Sequence, residues 1–165
     1  AEGLLAGISL DTKNFAFKTG VRTFEAASYL KKSGADTIEV KKLFNSDIKD
    51  FITKAEIIQN AKVINNNICL AYTKTETDNI NIVIAQAADE LLNIKEVEAS
   101  FVLARKDDRV FISARSLGNI NVHVLMENLG GGGHRDMAGA QLDTSLEKAY
   151  EMVKDTIQTC IKEEE

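Results

Sequence analysis

Four consecutive glycines, Gly130 to Gly133, run directly into His134 and Arg135. Each glycine surrenders more backbone freedom on folding than any other residue, roughly 0.5–1 kcal/mol relative to alanine. A run of four therefore marks a place where the backbone must approach something closely or turn through positive φ. Successive N–H groups in such a turn can form a concave nest that binds an anion. His134 and Arg135 place two further donors beside it. The blander reading is a loop that closes a helix, since glycine is the usual residue just past a helix C-terminus. One glycine would suffice for that, so the run and its cationic neighbours point to an anion site at Gly131, Gly132, Gly133 and His134.

A second cluster lies nearby, in Ser113-Ala114-Arg115-Ser116. Alternation along a strand points Ser113 and Arg115 the same way. They stand at a strand end, where α/β sheets often bind ligands. An arginine can hold a phosphate through two parallel N–H bonds. Taken alone, Arg115 reads better as part of the solvent-facing polar side of an edge hairpin. The two clusters bracket a single helix, which favours one shared site.

The elements that must position these residues read as alternating α and β. Ile68 to Thr73 forms a strand and Ile80 to Leu92 a helix, with Ile84, Ala87, Ala88, Leu91 and Leu92 inward. Val97 to Arg105 and Arg109 to Arg115 pair as a hairpin through Lys106-Asp107-Asp108. Asn121 starts a helix that ends at the glycines. Ala138 to Leu142 is a short strand. Thr144 and Glu147 fit a capping box, and Leu146, Ala149, Tyr150, Val153, Ile157 and Ile161 give the last helix one apolar face. Lys162 to Glu165 is expected to fray.

The N-terminal part is organised differently. Ala1 to Ile8 reads as a helix running into a buried strand that ends at Asp11-Thr12, and Phe15 and Phe17 alternate with Ala16 and Lys18 like a short strand. Thr23 is expected to cap one helix, closed by Gly34, and Asp36 a second. Ile48, Phe51, Ile52, Ala55 and Ile58 make one stripe on a longer helix, taken as the inward face. Asn65-Asn66-Asn67 is a turn, and the pattern changes after it.

Composition narrows the function classes. At 165 residues with 44% hydrophobic, the chain can bury a real core. A net charge of −5 argues against a sequence-independent nucleic-acid coat, although one pocket can still hold a nucleotide through local donors. Cys69 and Cys160 lack metal-type spacing and read as reduced core residues. No apolar stretch approaches the roughly 20 residues of a membrane span. The start lacks an initiator Met and the basic opening of a signal peptide, so the chain is expected to begin inside a larger protein.

Ser113-x-Arg115-Ser116, Asn121-Val122 and Gly131-Gly132-Gly133-His134-x-x-x-Ala138-Gly139 together resemble the DHH-associated domain, the substrate-binding partner of the Asp-His-His (DHH) phosphoesterase domain. The likeness runs from about residue 68 to the end. Gly7 to Phe15 resembles the last metal motif of the DHH domain, with its Asp-Thr pair at Asp11-Thr12. Thr19 to Ala27 and Ala85 to Leu92 are especially like the membrane-anchored cyclic-di-AMP phosphodiesterases of Gram-positive bacteria.

That resemblance implies an α/β fold, a small mixed sheet flanked by helices and preceded by a partial α/β segment. It divides the chain into a remnant of the DHH domain at 1–44, a linker helix at 45–66 and a DHH-associated domain at 67–165. It implies two Mn²⁺ ions that activate a bridging water, with Asp11 the one matching metal ligand; without the resemblance, Asp11 reads as a turn aspartate. Ser113, Arg115, Gly131, Gly132, Gly133 and His134 match the substrate-binding motifs. The Asp-His-His triplet and the earlier Asp-x-Asp motif are absent, and His123 reads as a surface or packing residue. One aspartate cannot hold two metals, so this stretch alone is expected neither to retain Mn²⁺ nor to hydrolyse appreciably. The implied partners are a cyclic dinucleotide or short oligonucleotide and the missing half of the catalytic domain; a homodimer stays open. The implied setting is a cytoplasmic domain of a membrane-anchored bacterial protein, with cyclic-di-AMP hydrolysed to pApA. Alternatives are an oligoribonucleotide or single-stranded nucleic-acid phosphoesterase of the same superfamily, or a non-catalytic nucleotide- or RNA-binding module.

Overall fold

A computed structural model describes residues 1–17, 19–65 and 67–163. The packing of Ile161, the ends of the chain at 164–165, Lys18 and Asn66 therefore lie outside what is described here. The chain divides into two units, Ala1–Ser46 and Asp47–Glu165.

The first unit holds three helices, α1 (Glu2–Asp11), α2 (Val21–Lys32) and α3 (Thr37–Lys42). The expected strand before Asp11-Thr12 is absent, because α1 continues through Asp11. Burial explains the difference. Leu5 and Ala6 are buried while Leu4 and Leu10 are 69% exposed, so burial follows a helical face rather than alternate residues. The chain then turns through three left-handed non-glycine residues, Lys13 (φ 45°), Asn14 (φ 57°) and Phe15 (φ 67°), which rules out a strand there as well. Such conformations cost about 1 kcal/mol or more each. Thr12 offsets this locally: its Oγ1 donates to the Ile8 carbonyl at 2.7 Å and accepts the Phe15 N–H at 2.9 Å.

Helix α2 starts earlier than expected. Gly20 is its N-cap, and Thr23 sits in the first turn, its hydroxyl accepting the Gly20 N–H at 3.4 Å. Gly34 ends it at φ 95°, and Asp36 caps α3 by accepting the Ile38 N–H at 2.8 Å. Leu5, Leu30, Ala35 and Val40 form the small core, with Phe15 stacked on Phe24 at its edge.

The second unit is built on one mixed sheet in the order β1-β2-β3-β4-β6-β5. Its elements are α4 (Ile48–Gln59), β1 (Lys62–Ile64), β2 (Ile68–Thr73), α5 (Ile80–Leu91), β3 (Ala99–Lys106), β4 (Arg109–Ser116), α6 (Val122–Glu127), β5 (Gly132–Gly133), β6 (Met137–Leu142) and α7 (Leu146–Glu163). Strands β2 and β3 are parallel, joined by α5. All other pairings are antiparallel. Helices cover both faces: Phe101, Leu103, Ile112 and Ala140 pack with α6 and α7, while Cys69, Val102 and Ala104 pack with α4 and α5. Cys69 is a free thiol, and burial raises its pKa. No helix among the described residues is long and apolar enough to cross a membrane.

One expected face is reversed. Ile48, Phe51 and Ile52 of α4 are exposed, and Asp50, Thr53 and Ile57 are buried instead. Asp50 accepts a 2.9 Å hydrogen bond from the Asn79 carboxamide beside α5, which turns that polar face inward without leaving a buried carboxylate unpaired. Helix α4 is thereby part of the second unit's core.

Phe101 is fully buried at the centre of the sheet. Phe101→Ala is expected to cost about 3–5 kcal/mol, read as a lower urea midpoint at unchanged slope.

Candidate functional site

Alternation on β4 and β6 decides which side chains share a face. Phe111 packs with the α5-side core, so Ser113 and Arg115, two and four residues on, face α5 as well. Their partners on β6 are Gln141, Gly139 and Met137. Gly139 pairs onward with Gly132 of β5. Ser113, Gly139 and Gly132 thus form one row across three strands. Two of its three members carry no side chain, so the row is a floor of bare backbone with the Ser113 hydroxyl at one end.

Arg115 stands beside that floor. Its Nη1 donates to Ser113 Oγ at 3.1 Å and to the Ala114 carbonyl at 2.9 Å. Its Nε lies 3.4 Å from Asp89 Oδ1 on α5. This is a close charge pair without hydrogen-bond alignment, since Nε makes no well-directed bond. The residue is 9% exposed, and a cation that deep requires a counter-charge. Asp89 supplies it. Part of the fork anticipated for a phosphate is therefore used inside the chain, and Nη2 is the nitrogen with no such bond among the described residues.

The glycine run divides into separate jobs. The Gly130 N–H donates to the Glu127 carbonyl and the Gly131 N–H to the Met126 carbonyl, so both close α6. That is the helix-ending role, and it removes these two N–H groups from any anion nest. A Cβ on Gly131 would lie 2.1 Å from the Gly139 carbonyl oxygen, and one on Gly133 (φ 149°) 2.5 Å from Ala138 Cα. Both glycines are required by their close approach to β6. Gly132 is different, with nothing within 4 Å of its Cβ position.

His134 and Arg135 occupy the tip of the β5–β6 hairpin. The His134 N–H donates to the Met137 carbonyl and the Met137 N–H returns to His134. Met137 also faces Arg115 in the ladder, which sets His134 and Arg115 about two strand spacings apart, roughly 10 Å. The imidazole is exposed and makes no hydrogen bond among the described residues. Arg135 is committed elsewhere, its Nε donating to the Gly118 carbonyl at 3.0 Å.

A groove of about 450 Å³ opens on the α5 face next to this floor. Its walls include Ser113, Gly130, Gly131 and Gly139, together with Asn81, Ile84, Phe111 and Gln141. Arg115 and His134 lie beside the groove rather than in its lining. Asp89, Asn81 and Gln141 went unassigned in the sequence. Their signal is conformational, because each becomes relevant only once α5 and β6 are laid against β4.

Two further sequence-selected residues stand on helices. His123 stands on α6 with Nε2 3.8 Å from Glu127 Oε2. Asp11 is exposed at the end of α1, in the first unit. Among the described residues no three His, Cys, Asp or Glu side chains gather so as to hold a metal ion, so the donors present do not fit a two-metal centre.

Comparison with known proteins gives a consistent picture. The family model described as the DHHA1 domain matches residues 65–163. The chain is 47% identical over 161 residues to the cyclic-di-AMP phosphodiesterase GdpP of Bacillus subtilis (strain 168), covering 95% of this chain and 24% of that protein. It is 44% identical over 151 residues to the cyclic-di-AMP phosphodiesterase PdeA of Listeria monocytogenes serotype 1/2a (strain 10403S), covering 90% of this chain and 23% of that one. It thus spans about a quarter of the length of these relatives. In fold it is similar to an exopolyphosphatase-related protein from Bacteroides fragilis, with a TM-score of 0.81 at 20% identity, over 92% of this chain and 47% of that one.

Gly131→Ala is expected to destabilise the second unit by about 1–3 kcal/mol, the usual cost of forcing extra volume into a packed seam. Thermal unfolding checks this, with Gly132→Ala as the near-neutral control.

Proposed function

We propose, for a chain that belongs to the DHHA1 domain family, that its second unit seats the nucleotide of a phosphodiester substrate for hydrolysis in a longer metal-dependent phosphodiesterase. The substrate proposed is cyclic-di-AMP, with pApA as product, in keeping with the relatives named for that activity. The observation that carries the reading is the bare row Ser113–Gly139–Gly132 flanked by the Arg115 guanidinium. A phosphoryl oxygen can approach backbone there, with a hydroxyl and a held cation at the margin.

On this reading the chain's own residues bind and orient. Arg115 is fixed by Ser113, Ala114 and Asp89, so it meets the ligand already in place. His134, at an exposed hairpin tip, is suited to closing on a phosphoryl group from outside the floor. Two Mn²⁺ ions would supply an activated water in the longer enzyme. Asp11 is the one ligand this chain would contribute, and no hydrolytic step is assigned to its residues. A cytoplasmic position within a membrane-anchored bacterial protein belongs to the same proposal.

Titration calorimetry with pApA and cyclic-di-AMP tests it. Arg115→Ala and His134→Ala are each expected to weaken binding by about 1.5–3 kcal/mol, the worth of a hydrogen bond to a charged group. Gly132→Ala is expected to keep the melting temperature and lose affinity, because its methyl group would stand on the floor. Unchanged affinity in all three variants would remove this face from nucleotide binding. Tighter binding of short RNA than of pApA would favour the oligoribonucleotide alternative. With Mn²⁺ added, turnover by this chain is expected to be negligible.

A further inference from the structure

The 450 Å³ groove extends past the phosphoryl floor toward Phe111, Gln141 and Asn81, a region the nucleotide reading leaves without a task. Its volume falls in the usual range of small-molecule pockets, about 300–1,000 Å³. Ile84 and Phe111 make its apolar part, and the glycine backbone of Gly131 leaves one side flat. Two carboxamides stand on this apolar ground, Asn81 near the start of α5 and Gln141 directly across the ladder from Phe111. Both side chains are on exposed residues, and neither is engaged in a hydrogen bond among the described residues.

We infer that this end of the groove is the seat of the nucleobase, and that Asn81 and Gln141 select an adenine-type base. The inference rests on the nucleotide reading above. Strand spacing supports it: Phe111 and Arg115 lie four residues apart on β4, roughly 13 Å at 3.3 Å per residue. That span accommodates a nucleoside monophosphate laid along the strand, base toward Phe111 and phosphoryl group toward Arg115. A flat ring fits an apolar wall with a bare backbone opposite it.

The edge chemistry then selects the base. A carboxamide offers one acceptor oxygen and a donor NH₂. This matches the adenine edge, where an amino donor adjoins a ring-nitrogen acceptor, as in the bidentate pairing of Asn or Gln with adenine. On its N7 side guanine presents two adjacent acceptors, O6 and N7, an edge suited to Arg or Lys. No Lys or Arg among the described residues lines this groove. With that edge turned to the carboxamides, guanine would leave a carboxamide oxygen facing an acceptor, and discrimination follows for a base held by its N7 side.

Calorimetry on the 165-residue chain with pApA, pGpG and ribose 5-phosphate tests the inference. The unsubstituted chain is expected to bind pApA at least tenfold more tightly than pGpG. Asn81→Ala and Gln141→Ala are each expected to weaken pApA by about 3- to 15-fold, the loss of a neutral hydrogen bond or two. They should leave ribose 5-phosphate, which has the phosphoryl group and no base, unchanged. Both positions are exposed, and circular dichroism verifies that the variants fold. If pApA binds and depends on Arg115 but is indifferent to both carboxamides, the base seat is wrong and the phosphoryl seat stands. Equal affinity for pApA and pGpG in the unsubstituted chain also overturns the base assignment. Failure of all three ligands to bind overturns both readings.

Discussion

The contact between the glycine run and β6 governs the rest of the second unit. Gly131 and Gly133 sit against the backbone of Gly139, Ala138 and Ala140 at distances no side chain would allow. That closeness lets two residues of β5 join the sheet at all, since so short a strand has little ladder of its own. It also pulls the end of α6 onto the sheet, through the Gly130 and Gly131 N–H groups. The floor beside Ser113 is a by-product of the same closeness. Where the backbones meet, no side chain rises.

Charge is arranged around this floor with restraint. Arg115 is nearly buried, and its guanidinium is held by a hydroxyl, a carbonyl and a carboxylate from three neighbouring positions. On the proposed reading, Asp89 lowers the net charge an incoming anion would feel but fixes where the remaining donor points. An exposed arginine would be a stronger electrostatic lure and a poorer guide, because its several rotamers would have to be frozen on binding. An acidic chain of net charge −5 is compatible with the proposed seat, which would depend on local donors.

Much of this was legible in the residues. The β3–β4 hairpin is visible because apolar alternation resumes on either side of Asp107-Asp108, and Asp107 takes the left-handed turn position, φ 54°. Ser113 and Arg115 share a face because alternation requires it. The rest was hidden for physical reasons. Strand β5 consists of two glycines and carries no pattern, and β1 is a three-residue edge. The stripe of α4 identifies a helix but not its docking face, which the Asp50–Asn79 bond decides against the apolar side. Helix α7 is capped one residue later than its Thr144–Glu147 spacing suggests, by the Ser145 hydroxyl accepting the Lys148 N–H. In the glycine run, spacing could not separate the N–H groups that close α6 from those left over.

A seam made only of main chain restricts how this sequence can drift. In an ordinary core, enlarging one residue can be compensated by trimming its neighbour, and many combinations keep the total volume. Gly131, Gly133 and Gly139 allow no such exchange, because the atoms opposing them are carbonyl oxygens, Cα atoms and alanine methyls. Two of those three kinds of atom belong to the polypeptide itself and cannot be made smaller. The remaining escape is to move the strands apart, which would dissolve the bare floor along with the crowding. On the proposed reading, selection on stability and selection on ligand capture act on the same few positions and in the same direction.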